Sequence, residues 1–239
     1  MSRLQEELIV ITGASSGIGL SMTKALLEAG CSVLGLARDF SKSGLDHPNF
    51  SSLSLDLADI DKLPARLAEI IAELKMPVAA LINNAGLGKM GFLEQLSVRD
   101  MRLVMDVNFM SHAIVTKAFL PAMKQRQQGD IVFLGSEAAL HGARQGSIYC
   151  ASKFALRGFA QSLRDECGKA NVRVTLINPG AVRTPFFTDL AFEPGASTDN
   201  AIDPDDIAKA LLMVLQARPG TVFDEINLTP LNHVWQKKE

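Results

Sequence analysis

Short apolar runs alternate with longer amphipathic segments from one end of the chain to the other. The runs are LIVIT (8–12), SVLGLA (32–37), SSLSL (51–55), VAALI (78–82), DIVFLG (130–135), VRVTLI (172–177) and TVFDEINL (221–228). Runs of this length, bounded by Gly, Pro or Asn, predict strands buried on both faces. Between them lie GIGLSMTKALLEAG, IDKLPARLAEIIAEL, a long segment from Ser97 to Gln125, SIYCASKFALRGFAQSLRDEC and DPDDIAKALLMVLQA. In the second of these, Leu63, Leu67, Ile70, Ile71 and Leu74 recur at spacings of three and four, the apolar face of a helix. The last helix is preceded by Asp203 or Asp205 as its cap, with acidic residues in its first turn. Strand–helix alternation without a break in composition predicts an α/β, doubly wound parallel sheet of about seven strands in one domain over 1–239, with helices on both faces. Residues 180–203 depart from this rhythm; the segment is longer than a usual connection, which suggests a lid or binding loop.

Composition narrows the setting. The chain is 47% hydrophobic and 21% charged, ordinary for a globular protein, and its formal net charge of −2 gives no broad attraction to nucleic acid or an anionic membrane. The first ten residues lack an apolar core for a secretion signal, and no run approaches a bilayer span. Cys31, Cys150 and Cys167 are odd in number and widely spaced, which suits reduced thiols in a cytoplasm rather than disulfides or a zinc site.

Two motifs carry chemistry. The strand at 8–12 runs into TGASSGIG and then into a helix. Gly13 permits the tight exit, Gly17 lets the backbone approach a phosphate, and Gly19 allows close packing of helix on sheet. The spacing is G-x-x-x-G-x-G rather than the general G-x-G-x-x-G fingerprint. Further along, Tyr149, the only tyrosine, precedes Lys153 by four residues, so both leave one helix face. A free phenol titrates near about 10, and a neighbouring ammonium favours its ionised form.

TGASSGIG, NNAG at 83–86, Asn108, Ser136, YCASK at 149–153 and NPG at 178–180 together resemble the short-chain dehydrogenase/reductase family in its compact branch. The motifs lie in the family's order and cover nearly the whole chain. The resemblance implies a Rossmann-type sheet, a nicotinamide dinucleotide, and hydride transfer between a carbonyl and an alcohol. It implies that Gly13, Ser15, Ile18 and Gly19 line the pyrophosphate turn and that Asp56 and Leu57 touch the adenine. Asn83, Ala85 and Gly86 would border the adenosine ribose, with Asn84 tying neighbouring strands. Pro179, Gly180, Val182 and Thr184 would hold the nicotinamide end. Tyr149 would exchange the proton, Ser136 would orient the substrate oxygen, and Lys153 would stand beside both tyrosine and cofactor. Asn108 would hold a water linking Lys153 to solvent.

At the end of the second strand an NAD site wants a carboxylate for the ribose 2′-hydroxyl. Here that position is Ala37, and Arg38 follows, suited to a 2′-phosphate; the expectation is NADP(H) over NAD(H), with Asp39 as the competing ribose partner. Two departures from the family are visible: Gly135 where relatives often carry Ser, and Glu137 directly after Ser136, expected to face outward because an unpaired buried carboxylate is costly. His112 and His141 receive no catalytic role. The loop's Phe186, Phe187, Leu190 and Phe192 suit closure over an apolar substrate part. By resemblance the chain forms a homotetramer or homodimer through the long helix and the Tyr149 helix. The rival readings are a dinucleotide-sensing regulatory protein on the same fold and an extended-branch sugar epimerase; too few residues follow position 203 for the latter's larger C-terminal region.

Overall fold

The computed structural model describes residues 3–238. Seven strands form one sheet: β1 (Leu8–Thr12), β2 (Ser32–Ala37), β3 (Phe50–Ser54), β4 (Val78–Asn83), β5 (Gly129–Leu134), β6 (Val172–Pro179) and, after a short strand β7 (Phe192–Pro194), β8 (Glu225–Leu228). Their order is β3-β2-β1-β4-β5-β6-β8, and every neighbouring pair is parallel. Alternating side chains along the inner strands enter two cores. On one face Ile9 and Ile11 pack with Met22 and Leu26 of the helix Gly17–Glu28 and Leu211 and Val214 of the last helix (Pro204–Gln216). On the other face Val10, Leu81, Ile131 and Phe133 meet Leu67 and Ile70 of the helix Leu63–Glu73, Phe119 of the helix Ser111–Arg126, and Leu163 of the helix Ser147–Cys167. Burial on both faces is why these strands are almost continuously apolar. Chain order reverses between β1 and β4, and the crevice outside the carboxyl ends of these strands is where such sheets bind ligands.

Three features sharpen the sequence-based picture. The cap of the last helix is Asp203, whose carboxylate accepts the Asp205 N–H at 2.9 Å. The long amphipathic segment is not uniform: helix Val98–Met105 passes into a π-helical turn at Asp106–Met110 before continuing as Ser111–Arg126. The extra residue turns Asn108 inward, where its side chain is fully buried. The expected strand at 221–228 is confined to Glu225–Leu228; upstream of it the Thr221 carbonyl accepts from Arg173, and the Asp224 carbonyl from both Arg164 and the Leu176 N–H.

The segment 180–203 is a folded unit rather than an open loop. It holds a 3₁₀ turn at Pro185–Phe187, a bridge between Val182 and Ile202, and β7, which pairs antiparallel with β9 (Trp235–Lys237). Trp235 lies 5.8 Å from the Phe187 ring and 5.3 Å from Phe192, so C-terminal residues buttress the loop. Nothing in the hydrophobic pattern marked β9, since all three of its residues are exposed. The expectation that no segment approaches a bilayer span also needs amending. Val98–Arg126 is 29 residues of continuous helix, long and apolar enough by length and composition. Here its apolar face is committed to the sheet, and it carries the buried polar side chains Asn108, His112 and Thr116.

Candidate functional site

A cleft of about 1280 Å³ runs along the carboxyl ends of the strands from the glycine turn to the 180–203 segment. This exceeds the roughly 300–1,000 Å³ of ordinary small-molecule pockets, leaving room for a dinucleotide and a second molecule. At one end Gly13 and Gly17 adopt φ of +68° and +52°, open only to residues without a side-chain penalty. A Cβ at Gly13 would stand 2.9 Å from Ala85 Cα, and one at Gly19 would fall 2.1 Å from the Gly13 carbonyl oxygen. Ser16, at the start of the helix Gly17–Glu28, makes no side-chain cap, so the first N–H groups of that helix are left for an anion. A glycine cradle below an uncapped helix start fits a pyrophosphate.

Thr12 organises the opposite lip. Its hydroxyl donates to the Ile82 carbonyl (3.4 Å) and accepts the N–H groups of Asn84 (3.0 Å) and Ala85 (3.1 Å). Asn84 donates to the carbonyls of Thr12 and Gly13 at 2.9 and 3.2 Å, tying β1 to β4. The short-range motif does not disclose this role of Thr12, because a threonine closing a strand is unremarkable by itself.

Ser15, Ile18, Arg38, Asp56, Leu57, Ala85 and Gly86 also line the cleft, as do Pro179, Gly180, Val182 and Thr184. Asn83 does not, and its expected place beside the ribose is corrected for the side chain. It is wholly buried on the other side of the strand and donates to Thr116 Oγ1 at 3.0 Å. Period-two alternation sends adjacent Asn83 and Asn84 to opposite faces.

At the far end three groups converge. Ser136 leaves the end of β5, its hydroxyl accepting the Ala138 N–H at 3.1 Å and lying close enough to Tyr149 to lower the phenol's pKa. Lys153, one helical turn beyond Tyr149, places Nζ 5.9 Å from the phenol ring centre and donates to the Leu134 carbonyl at 2.9 Å. Both side chains are buried. Burial pushes the Tyr149 phenol up to about 12, only partly offset by the nearby Ser136 hydroxyl, and pushes the Lys153 ammonium down to about 8. In the chain without a dinucleotide, burial thus outweighs any easing of the phenol by the neighbouring ammonium. The reason is spatial: Phe186 packs 5.9 Å from the phenol ring, while the lysine proton is directed at a backbone carbonyl.

Supporting residues explain two oddities. A Cβ on Gly135 would sit 2.1 Å from Asn178 Oδ1. The bare α-carbon thus admits the Asn178 side chain, which accepts the Ser136 N–H at 3.3 Å and donates to Asn227 at 2.9 Å. Asn108 accepts the Leu87 N–H at 2.9 Å and donates to the Leu87 carbonyl at 3.0 Å and to Ser152 at 3.2 Å. It clamps the strand-to-helix loop beside Lys153 and does not line the cleft. Glu137 is the second correction. It faces the cleft, half-buried, where the outward orientation had been expected. Asp39 turns back on its own loop, accepting the Ser41 N–H and hydroxyl at 2.8 Å each, while Arg38 is exposed and its guanidinium makes no hydrogen bond or ion pair among the described residues.

His112 lies beneath the site, wholly buried, with Nε2–H donating to the Ala85 carbonyl at 2.8 Å and Nδ1 without a partner. Burial, reinforced by Lys153, drives its pKa down to about 3. The unfolded chain takes up this proton below about 6.5 and the folded chain does not, so this contribution to stability is present above that pH and lost as pH falls toward 3. His112→Gln keeps a donor for Ala85 but cannot titrate. In acid titrations followed by circular dichroism with denaturant, its stability should fall less steeply between pH 6.5 and 4, by up to about 1.4 kcal/mol per pH unit. Parallel slopes for the two proteins would contradict the assignment.

Comparison with known proteins agrees with this geometry. A family model described as short chain dehydrogenase matches residues 7–193. An NADP-dependent 3-hydroxy acid dehydrogenase from Schizosaccharomyces pombe is 31% identical, with 100% of both chains covered. A sepiapterin reductase from Chlorobaculum tepidum is 30% identical over 94% of this chain and 96% of its own. Among solved structures, a metagenomic short-chain oxidoreductase in complex with NADP superimposes with a TM-score of 0.80 at 28% identity, covering 96% of this chain and 99% of its own.

Proposed function

Because this chain belongs to the short-chain dehydrogenase/reductase family, we propose that it is an NADP(H)-dependent oxidoreductase interconverting a carbonyl and a secondary alcohol. The observation that carries the reading is the convergence of Ser136, Tyr149 and Lys153 at one end of a cleft whose other end is a glycine cradle. When bound, the nicotinamide dinucleotide gives or takes the hydride. The chain's own residues handle the proton and the orientation. Ser136 holds the substrate oxygen by a hydrogen bond and directs it at Tyr149. The phenol, kept protonated by burial, is the acid that completes reduction to the alcohol. Lys153, with a pKa brought near 8, is poised to return a proton to the tyrosine side of the site. Asn108 fixes the loop beside it, with a water at that loop as the route to solvent.

Gly13, Ser15, Ile18 and Gly19 would cradle the pyrophosphate, Asp56 and Leu57 the adenine, Ala85 and Gly86 the ribose. Pro179, Gly180, Val182 and Thr184 would hold the carboxamide end. The unengaged Arg38 guanidinium beside Ala37, with Asp39 occupied by Ser41, favours a 2′-phosphate over a bare 2′-hydroxyl. The segment 180–203 acts as the substrate loop of a single 1–239 domain. Exposed Met110 and Phe154 on the two helices expected to pair subunits suit a homodimer or homotetramer in the cytoplasm. The test is a panel of ketones, aldehydes and secondary alcohols assayed with both cofactors. Oxidation of NADPH coupled to reduction of a carbonyl is expected; dinucleotide binding without turnover of any member would contradict the enzyme reading and favour a sensor.

A further inference from the structure

One acid in the cleft has no part in moving the hydride or the proton. Glu137 follows Ser136 directly, and its carboxylate is turned against Gly180, where an added Cβ would come within 2.9 Å of Oε2. No hydrogen-bond donor among the described residues reaches its side chain; the one basic side chain within 4 Å among them is the His233 ring, with Nε2 at 3.7 Å. Burial raises its carboxyl above the usual range, and only His233 and His141 pull it back. The charge acts on the reacting centre, since it helps to raise the Tyr149 phenol. A half-buried carboxylate without a strong partner is costly unless something cationic enters beside it.

The surroundings describe what enters. Phe186 lies over the phenol ring and contacts Phe187, and Phe192 and Trp235 extend the same wall. All four line the cleft together with Glu137 and His233. Such an aromatic surface takes an apolar body and also favours a cation at its face. Ser136 and Glu137 are consecutive, so a substrate oxygen held at one residue lies within a short carbon chain of the other.

We propose that the substrate class is an amino-substituted carbonyl compound and its amino alcohol, the ammonium paired with Glu137 and the apolar remainder on the Phe186–Trp235 wall. This assignment rests on the oxidoreductase reading above and specifies its substrate. It makes Glu137 a specificity-determining residue: a neutral isostere leaves the carboxylate desolvated and unpaired, whereas the ammonium satisfies it.

The test compares an α-amino aryl ketone with the methyl-substituted ketone of the same shape, using NADPH, in the wild-type protein and in Glu137→Gln. The wild-type protein should prefer the amino ketone by tenfold or more in kcat/KM, and the amino-to-neutral ratio should fall at least tenfold in the variant. Calorimetric titration of the amino compound into the two NADP⁺-loaded proteins makes the same comparison without turnover. Binding that depends on Glu137 while neither ketone is reduced would count against the hydride reaction and leave the pairing standing. Turnover of both ketones with a ratio unaltered by Glu137→Gln would overturn the pairing and leave the oxidoreductase standing. Weaker binding of NADP⁺ than of NADPH in the variant, with the ratio retained, would also overturn it by assigning the carboxylate to the cofactor.

Discussion

Tyr149→Phe is expected to lower kcat by about a thousandfold, the middle of the range for losing a general acid. The substitution removes one oxygen and keeps the ring. The aromatic contact with Phe186, at 5.9 Å, and the packing beside Ala138 and Cys150 therefore persist. What disappears is the proton donor beside Ser136. The fold should hold, because a buried hydroxyl pinned near 12 adds little that a well-packed phenyl ring does not supply. Affinity for the dinucleotide should stay close to that of the wild-type protein, since its glycine cradle and Arg38 lie at the other end of the cleft.

Arg38→Asp should reverse the choice of dinucleotide. A planar guanidinium meeting a phosphate makes paired, charge-assisted hydrogen bonds, each worth more than a neutral one. Replacing it by a carboxylate removes those bonds, adds repulsion against the 2′-phosphate, and creates an acceptor for a 2′-hydroxyl. The ratio of kcat/KM for NADPH over NADH should fall by about a hundredfold or more, two losses of roughly 1.5–3 kcal/mol each being partly shared. Because Arg38 is exposed and its guanidinium engages no described residue, the variant's thermal stability should barely move. An unaltered preference would mean that the 2′ position is read elsewhere, and the Ser41-bound Asp39 would be the first place to look.

The inner sheet was legible because its strands are buried on both faces: LIVIT and SVLGLA coincide with β1 and β2 to the residue. The helix carrying Tyr149 and Lys153 was equally plain, and the i,i+4 spacing placed both on one buried face. Short exposed pairings left no such trace. The strand Trp235–Lys237 is held by backbone bonds and by Trp235 against Phe187 and Phe192, contacts that period and propensity do not encode. The orientation of Glu137 escaped for a related reason. The cost of burying a carboxylate argued for solvent, yet the turn after β5 aims it inward beside Gly180, where the missing side chain leaves it room. The two asparagines of the motif have the separate roles that strand alternation requires: Asn84 ties β1 to β4 as expected, while the Asn83 side chain turns to Thr116 rather than toward the cleft. The state of the Tyr149 proton was beyond sequence altogether, since it depends on how Phe186 and the lysine's backbone acceptor are disposed around the ring.

The most direct measurement is NADPH oxidation by Tyr149→Phe at a saturating carbonyl substrate, with quenching of protein fluorescence by NADPH recorded on the same sample. The account predicts quenching like that of the wild-type protein and oxidation reduced to about one part in a thousand. Oxidation near the wild-type rate, with the cofactor bound, would show that the phenol is not the group that gives its proton to the reacting oxygen.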